Sequence, residues 1–376
     1  MELFLTLIIF CITLFVYIHI YHHKITSNDL EIFDIDVPSK ERLEELCELR
    51  QPLTMHYKND ELTSNFNNKT ITNMYGAFDI NIRNNELNDN GDKYIMLAYN
   101  TSDMLFNKDK NQNYNSENNT LFLSETTLIK HMQNNDIYLR PYMVSSCKYD
   151  LLIGTNLTRT PLRYDICNRH YLYVTEGKIK IKLTPPCNTK YLYRENDYEM
   201  LEFRSKINVW EPQEQYIKNF NKVKFLEFEV NEGTMVYIPP YWWYSIEYSS
   251  EKTNIVLSFK YTTYMNTLSI TPELLIHYLQ TMNVKFKTEN IFVQPNAVPA
   301  NAVPPNAVPA NAVPPNAVPA NAVPANAVPP NAVPANAVPP NAVPANAVPA
   351  NAVPANAVPD INSQLNELRE TLKKNK

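Results

Sequence analysis

The hydrophobic pattern changes period along the chain, and each change marks a different kind of element. Residues Leu3 to Tyr21 carry no charge. As a helix rising ~1.5 Å per residue, such a run covers nearly all of the ~30 Å hydrocarbon core of a bilayer. After it, Leu43, Leu46 and Leu49 fall at helical spacing between Pro38 and Leu53, which predicts a short amphipathic helix followed by a strand. From there the period shortens to two. Lys178, Lys180 and Lys182 alternate with Ile179, Ile181 and Leu183, so the lysines should face solvent and the aliphatic residues a core. The Asn-rich stretch from Asn84 to Asn119, with a strand expected at Tyr94 to Tyr99, reads as loops on the rim. A helix starts at Thr271 and Pro272 with Leu274, Leu275, Tyr278, Leu279 and Met282 as its apolar positions; proline is tolerated there because its missing N–H is an orphan in the first turn. The plainest role of that helix is to cap the core.

From Asn296 to Asp360 the chain consists of about thirteen pentapeptides, Asn-Ala-Val-Pro followed by Ala or Pro and closed by Asp360. A proline at least every fifth residue, with no aromatic and no amphipathic period, cannot build a core and predicts a disordered, extended spacer. Ile361, Leu365, Leu368 and Leu372 then recur at steps of four, three and four before a basic end. They predict a short helix with an a/d seam suited to docking or self-association. The expected organisation is therefore a transmembrane anchor (1–24), a linker (25–39), a globular domain (40–290), a repeat spacer (291–360) and a short amphipathic helix (361–376).

Composition narrows the function classes. The net charge of −5 and pI near 5.9, with no clustered basic patch, argue against nucleic acid as a partner. Five scattered cysteines without Cys-x-x-Cys spacing argue against zinc or a redox motif and suggest reduced thiols. Glu2 precedes the apolar run and His22, His23 and Lys24 follow it, which favours a single-pass protein with its body on the cytoplasmic side. A cleavable leader is disfavoured because basic residues are missing before the run and small ones after it.

The motif with most chemical content is Ile238-Pro239-Pro240-Tyr241-Trp242-Trp243-Tyr244. It resembles the strand that delivers the distal iron-binding histidine in JmjC or cupin-like dioxygenases of the asparaginyl-hydroxylase branch, with Tyr244 in the histidine's place. Thr160-Pro161-Leu162-Arg163-Tyr164-Asp165, followed by Gly177 and Pro185-Pro186, resembles the family's Thr-Pro-x-His-x-Asp segment, with Arg163 replacing the first histidine. The resemblance implies a mainly β fold, a double-stranded β-helix (jelly-roll, cupin) core with flanking helices. It also implies a vestigial site at Arg163, Asp165 and Tyr244, with Thr160, Ile179 and Ser258 as neighbouring pocket positions. Ile179 stands where the family has the lysine that pairs with 2-oxoglutarate.

Fe(II) dioxygenases of this kind need two imidazoles and one carboxylate, and of these only Asp165 remains. Arginine has no lone pair to offer and stays protonated. A tyrosine, with a reference pKa near ~10, ionises only when a strong metal field is already present. The expectation is a catalytically inactive domain without cofactor, its Arg163 paired with Asp165 beside Tyr244, acting as a binding or structural protein on a membrane. A protein partner or a second copy would be reached through the domain, where the resemblance implies that a C-terminal helix such as the one from Thr271 supports dimer formation, or through the Ile361 to Leu372 helix. The alternative is a hydroxylase with unconventional ligands, His170 or Tyr244 beside Asp165. His170 lies five residues past Asp165, an odd step that strand alternation sends to the opposite face. Only five Gly stand beside abundant Asn, Ile, Tyr and Lys, a bias that AT-rich coding produces, and this composition and layout resemble proteins carried by nucleocytoplasmic large DNA viruses, which implies a virion or host-membrane location.

Overall fold

The computed structural model describes residues 2–85, 94–109, 113–251 and 253–293, with side chains through 282. It divides into Met1–Thr281 and Met282–Lys376, and both sheets lie in the first unit. The repeat spacer and the Ile361 to Leu372 helix lie outside the described residues. The described helices are α1 (Glu2–Lys24), α2 (Lys40–Glu48), α3 (Asp60–Asn65), α4 (Asn68–Tyr75), α5 (Tyr99–Lys108), α6 (Thr120–Glu125), α7 (Ile129–Asn135), α8 (Ile217–Phe220), α9 (Tyr264–Ser269) and α10 (Thr271–Val293). The strands are β1 (Phe33–Ile35), β2 (Leu53–His56), β3 (Asp79–Asn84), β4 (Ile95–Ala98), β5 (Tyr114–Ser116), β6 (Val144–Gly154), β7 (Arg163–Tyr164) and β8 (Arg169–Glu176). They continue with β9 (Lys178–Thr184), β10 (Arg194–Asp197), β11 (Glu202–Ser205), β12 (Leu226–Asn231), β13 (Thr234–Ile238), β14 (Trp243–Tyr248) and β15 (Asn254–Thr263).

Two sheets carry the fold. One runs β1-β2-β13-β8-β15-β6-β5-β3-β4 and the other β10-β11-β7-β14-β9-β12. A single cluster joins them: Leu152, Leu172, Val174, Val236, Ile238 and Val256 from the first sheet pack on Ile179, Ile181, Leu183, Val230, Tyr244, Ile246 and Tyr248 from the second. This is the expected mainly β, cupin-type core. Alternation then assigns every other residue of these strands to the interior, including His170 on β8, Tyr244 on β14, and Ser258 and Lys260 on β15. The chain passes from the first sheet to the second at Gly177, whose φ of +88° suits glycine; a Cβ there would also collide with Asn254 Oδ1.

The opposite faces are closed separately. Leu43, Leu46 and Cys47 of α2 are buried, and Cys47 Sγ lies 3.2 Å from the Tyr171 hydroxyl of β8. Leu49, expected on the same apolar stripe, is exposed because α2 ends one residue earlier. On the second sheet Trp243, Tyr164, Phe203 and Leu162 form an outer cluster that Leu274 of α10 covers.

Two expectations about connecting segments need correction. The stretch read as a linker, 25–39, is tied down: β1 pairs in parallel with β2, and the Trp242 indole N–H donates to Ser27 O at 3.1 Å. The stretch read as rim loops holds the expected strand, as β4, but also α5 and β5, and both strands join the first sheet. Leu97, Leu105, Phe106 and Tyr114 bury there, so a few apolar anchors outweighed the polar background.

Candidate functional site

The two halves of the motif meet at one end of the barrel. Asp165 follows β7 in an irregular segment, and its carbonyl accepts the backbone N–H of Tyr241 at 2.9 Å. Tyr241 has φ +64° in the turn before β14, so the Pro-Pro-Tyr turn locks the Asp165 segment in place. Arg163 of β7 pairs with Tyr244 of β14 in antiparallel register, and Lys260 of β15 pairs with His170 of β8.

These registers place three groups around one carboxylate. Asp165 Oδ1 lies 2.8 Å from Lys260 Nζ, and Oδ2 accepts the Tyr244 hydroxyl at 3.0 Å. His170 Nδ1 is 3.1 Å from Oδ2 but is not aligned for a hydrogen bond; its Nε2 is 2.9 Å from Ser258 Oγ. The His170 and Tyr244 rings meet edge-on at 5.3 Å. Although burial favours the neutral acid, Lys260 and then His170 hold the Asp165 carboxyl well below its ordinary range. Asp165 in turn keeps Lys260 charged against the same desolvation. Burial pushes His170 down to about 4, so this imidazole is neutral near pH 7, and burial raises the Tyr244 phenol.

The expected Arg163 to Asp165 ion pair is not formed. The Arg163 guanidinium sits 2.6 Å from Glu117 Oε2 and 3.1 Å from Glu202 Oε1, with its carbon 5.6 Å over the Tyr244 ring. Arg83 bridges the same two carboxylates, and the Tyr94 hydroxyl donates to Glu117 at 3.2 Å. Glu117 is fully enclosed. Desolvation alone would raise its pKa, but Arg163 and Arg83 hold it well below the ordinary value. Arg163 therefore follows two carboxylates that need a cation, while Asp165 already has one in Lys260. Tyr244 stands between the two groups, its face toward the guanidinium and its hydroxyl on Asp165.

Of the neighbouring positions, Ser258 belongs to the cluster. Thr160 does not: it is buried, and its hydroxyl accepts the Ile246 N–H at 2.9 Å as part of the strand contact. Ile179 is core. The lysines beside it stand on the outer face, where Lys180 pairs with Glu227 and Lys182 lies 4.2 Å over the Trp210 ring. Contrary to the odd-step expectation, His170 comes to Asp165, because Asp165 is not on a strand and alternation cannot be counted across the intervening loop. Lys260 was missed. Its signal was the polar pair Ser258 and Lys260 on the inward positions of an otherwise apolar strand.

An iron centre does not fit these residues. Arg163 offers no lone pair and is turned toward glutamates, Tyr244 remains a phenol, and an ammonium already occupies the side of Asp165 where a dication would bind. Among the described residues no group of three His, Cys, Asp or Glu side chains is placed to hold a metal ion. Ser258, His170 and Asp165 do fall in line as nucleophile, base and carboxylate would. Yet the serine is buried, the imidazole is a weak base and its Nδ1 is misaligned, so the arrangement lacks the activation such a relay needs.

The comparisons with known proteins agree with the fold. HSPB1-associated protein 1 of Bos taurus is 29% identical over 98 residues, 26% of this chain and 20% of that protein. JmjC domain-containing protein D of Dictyostelium discoideum is 28% identical over 103 residues, 27% of this chain and 23% of that protein. The chain thus spans about a fifth of the length of the relatives it matches. The cupin-like domain family matches residues 24–266, and with its two-sheet core the chain belongs to that family, in its JmjC type.

Proposed function

We propose that this chain is a catalytically inactive cupin-like protein, anchored to a membrane by α1, that works as a binding or structural component. The observation that carries the reading is Lys260 Nζ at 2.8 Å from Asp165 Oδ1. A tethered ammonium neutralises the one retained ligand, and both imidazoles of the family pattern are replaced. Support for the anchor is the length of α1 and its mean hydropathy of 2.6 with none of it buried. Support for a protein partner comes from the name of the HSPB1-associated relatives, which describes association with another protein. The further reading, a viral membrane or virion component, rests on the compositional likeness alone.

A second reading is favoured by His170, whose Nδ1 lies 3.1 Å from Asp165 Oδ2: a hydroxylase with an unconventional imidazole ligand. It requires Lys260 to leave Asp165. Anaerobic titration of the full chain in detergent with Fe(II), with and without 2-oxoglutarate, followed by admission of oxygen and an assay for succinate, separates the two. The inactive reading expects no saturable heat for either compound and no succinate. Saturable co-substrate binding that depends on the metal would establish the second reading instead.

A further inference from the structure

The end of α1 is fastened to the domain. Arg50, itself buried, donates through Nη1 to His22 O and to Ile25 O at 2.6 Å each, which caps the last carbonyls of the helix with a cation as its dipole favours. Thr26 Oγ1 donates back to Arg50 O at 3.1 Å. On α1 itself, Val16, His19, Ile20 and His23 are partly covered while their neighbours are exposed. These positions form one stripe at helical spacing, and the element that α1 packs against is α9.

The helices beyond that contact show an apolar face to the outside. Tyr264 and Leu268 of α9 are 62% and 42% exposed, and Leu275, Tyr278 and Leu279 of α10 are 56%, 58% and 58% exposed. The rotation of α10 is set from the inner side, where Leu274 packs on the outer cluster and His277 Nδ1 donates to Tyr198 O at 2.6 Å. None of the exposed residues from Tyr264 to Gln280 is charged. Among the described residues nothing covers this uncharged apolar face, and such a face is poorly suited to water.

We propose that the outward face of α9 and α10, centred on Tyr264, Leu268, Leu275, Tyr278 and Leu279, is a lipid-contacting surface lying in the bilayer beside α1. The inference rests on the reading of α1 as the anchor. Continuity identifies the occupant: α9 packs along the last turns of α1, so whatever medium surrounds that part of α1 also meets α9 and the start of α10. Two tyrosines on the face match the preference of amphipathic rings for the membrane boundary. The Arg50 clamp removes the swivel that would let the domain lift away.

The test uses the full chain, with Cys11→Ala and Cys187→Ala, in nanodiscs holding one copy each. An environment-sensitive fluorophore is placed at Phe10→Cys or at Leu279→Cys and exposed to lipids carrying a spin label on the acyl chain. Quenching at both positions is expected. In a second variant, Leu275→Glu with Tyr278→Glu should abolish quenching at position 279 while leaving position 10 unchanged. Quenching at position 10 alone overturns the lipid face and leaves the anchor standing. Quenching at neither removes the anchor and this inference with it. A blue shift at 279 that needs two copies per disc and resists lipid quenching assigns the face to a second copy and overturns the inference.

Discussion

Lys260 and Asp165 stand 95 residues apart in sequence and 2.8 Å apart in space, an ammonium on the carboxylate that the family pattern reserves for a metal. The pair sits at the partly open mouth of the barrel, with the lysine side chain 29% and the aspartate 20% exposed. Both charges are sheltered enough to need each other.

Removing the cation should therefore cost stability. Lys260→Met leaves a mostly buried carboxylate with only a phenol and a misaligned imidazole, and a loss of about 3 kcal/mol is expected. Lys260→Met with Asp165→Asn should recover much of it. Thermal denaturation of the three proteins decides the point: equal melting temperatures would mean that Asp165 is solvated without Lys260.

The Asp165 site should bind metal only after its charges are rebuilt. Arg163→His with Tyr244→His restores the imidazoles but leaves Lys260 on Asp165, so these two substitutions alone should give no metal-dependent rise in melting temperature. Adding Lys260→Ala should produce one with Co(II) or Mn(II), because a ligand that binds only the native state stabilises it. A rise in the unmodified chain would contradict the assignment of Lys260.

Acid should act through opposing groups. His170 is depressed from 6.5 to about 4 in the fold, so the native state binds fewer protons there, and its contribution is complete above 6.5 and is lost as pH falls toward 4. Asp150 moves the other way. Burial raises it from 3.8 to about 6, so its contribution is present at low pH and is lost as pH rises from 3.8 to 6. The two slopes offset each other between pH 4 and 6. His170→Gln should unmask the Asp150 slope, making the variant less stable at pH 6 than at pH 4.5. Denaturant titrations across that range decide the point: an unmodified protein whose stability already falls as steeply as the variant's would mean that His170 is not buried neutral.

Releasing α1 from the domain is a test of the clamp. Arg50→Ala removes two 2.6 Å hydrogen bonds from the end of α1 and should expose residues 24 to 30 to protease. Relief of the positive φ of 53° at Arg50 calls for Arg50→Gly as a companion, which should be cleaved equally fast. Unchanged cleavage in both would show that Trp242 and β1 hold the segment without the arginine.

Much of this protein was determined by local pattern. An apolar run of bilayer length and inward aliphatic residues at alternate positions from Ile179 to Leu183 each act through their immediate neighbours, so helix and strand faces were readable from order alone, while the cupin-type core was readable from its likeness to a family's motifs. The meeting of Arg163, Asp165 and Tyr244 near one end of the barrel was readable too, because motif spacing carries the strand order of a family. Which charges pair was decided only in three dimensions. Glu117, Arg163 and Glu202 come from three distant strand ends, and Lys260 reaches Asp165 only because β15 lies beside β8. A long side chain goes to the partner with the least alternative solvation, and that depends on every strand around it. For the same reason 25–39, read as a linker, became a strand and a clamp: its backbone groups and Arg50 found partners that no neighbouring residue could announce.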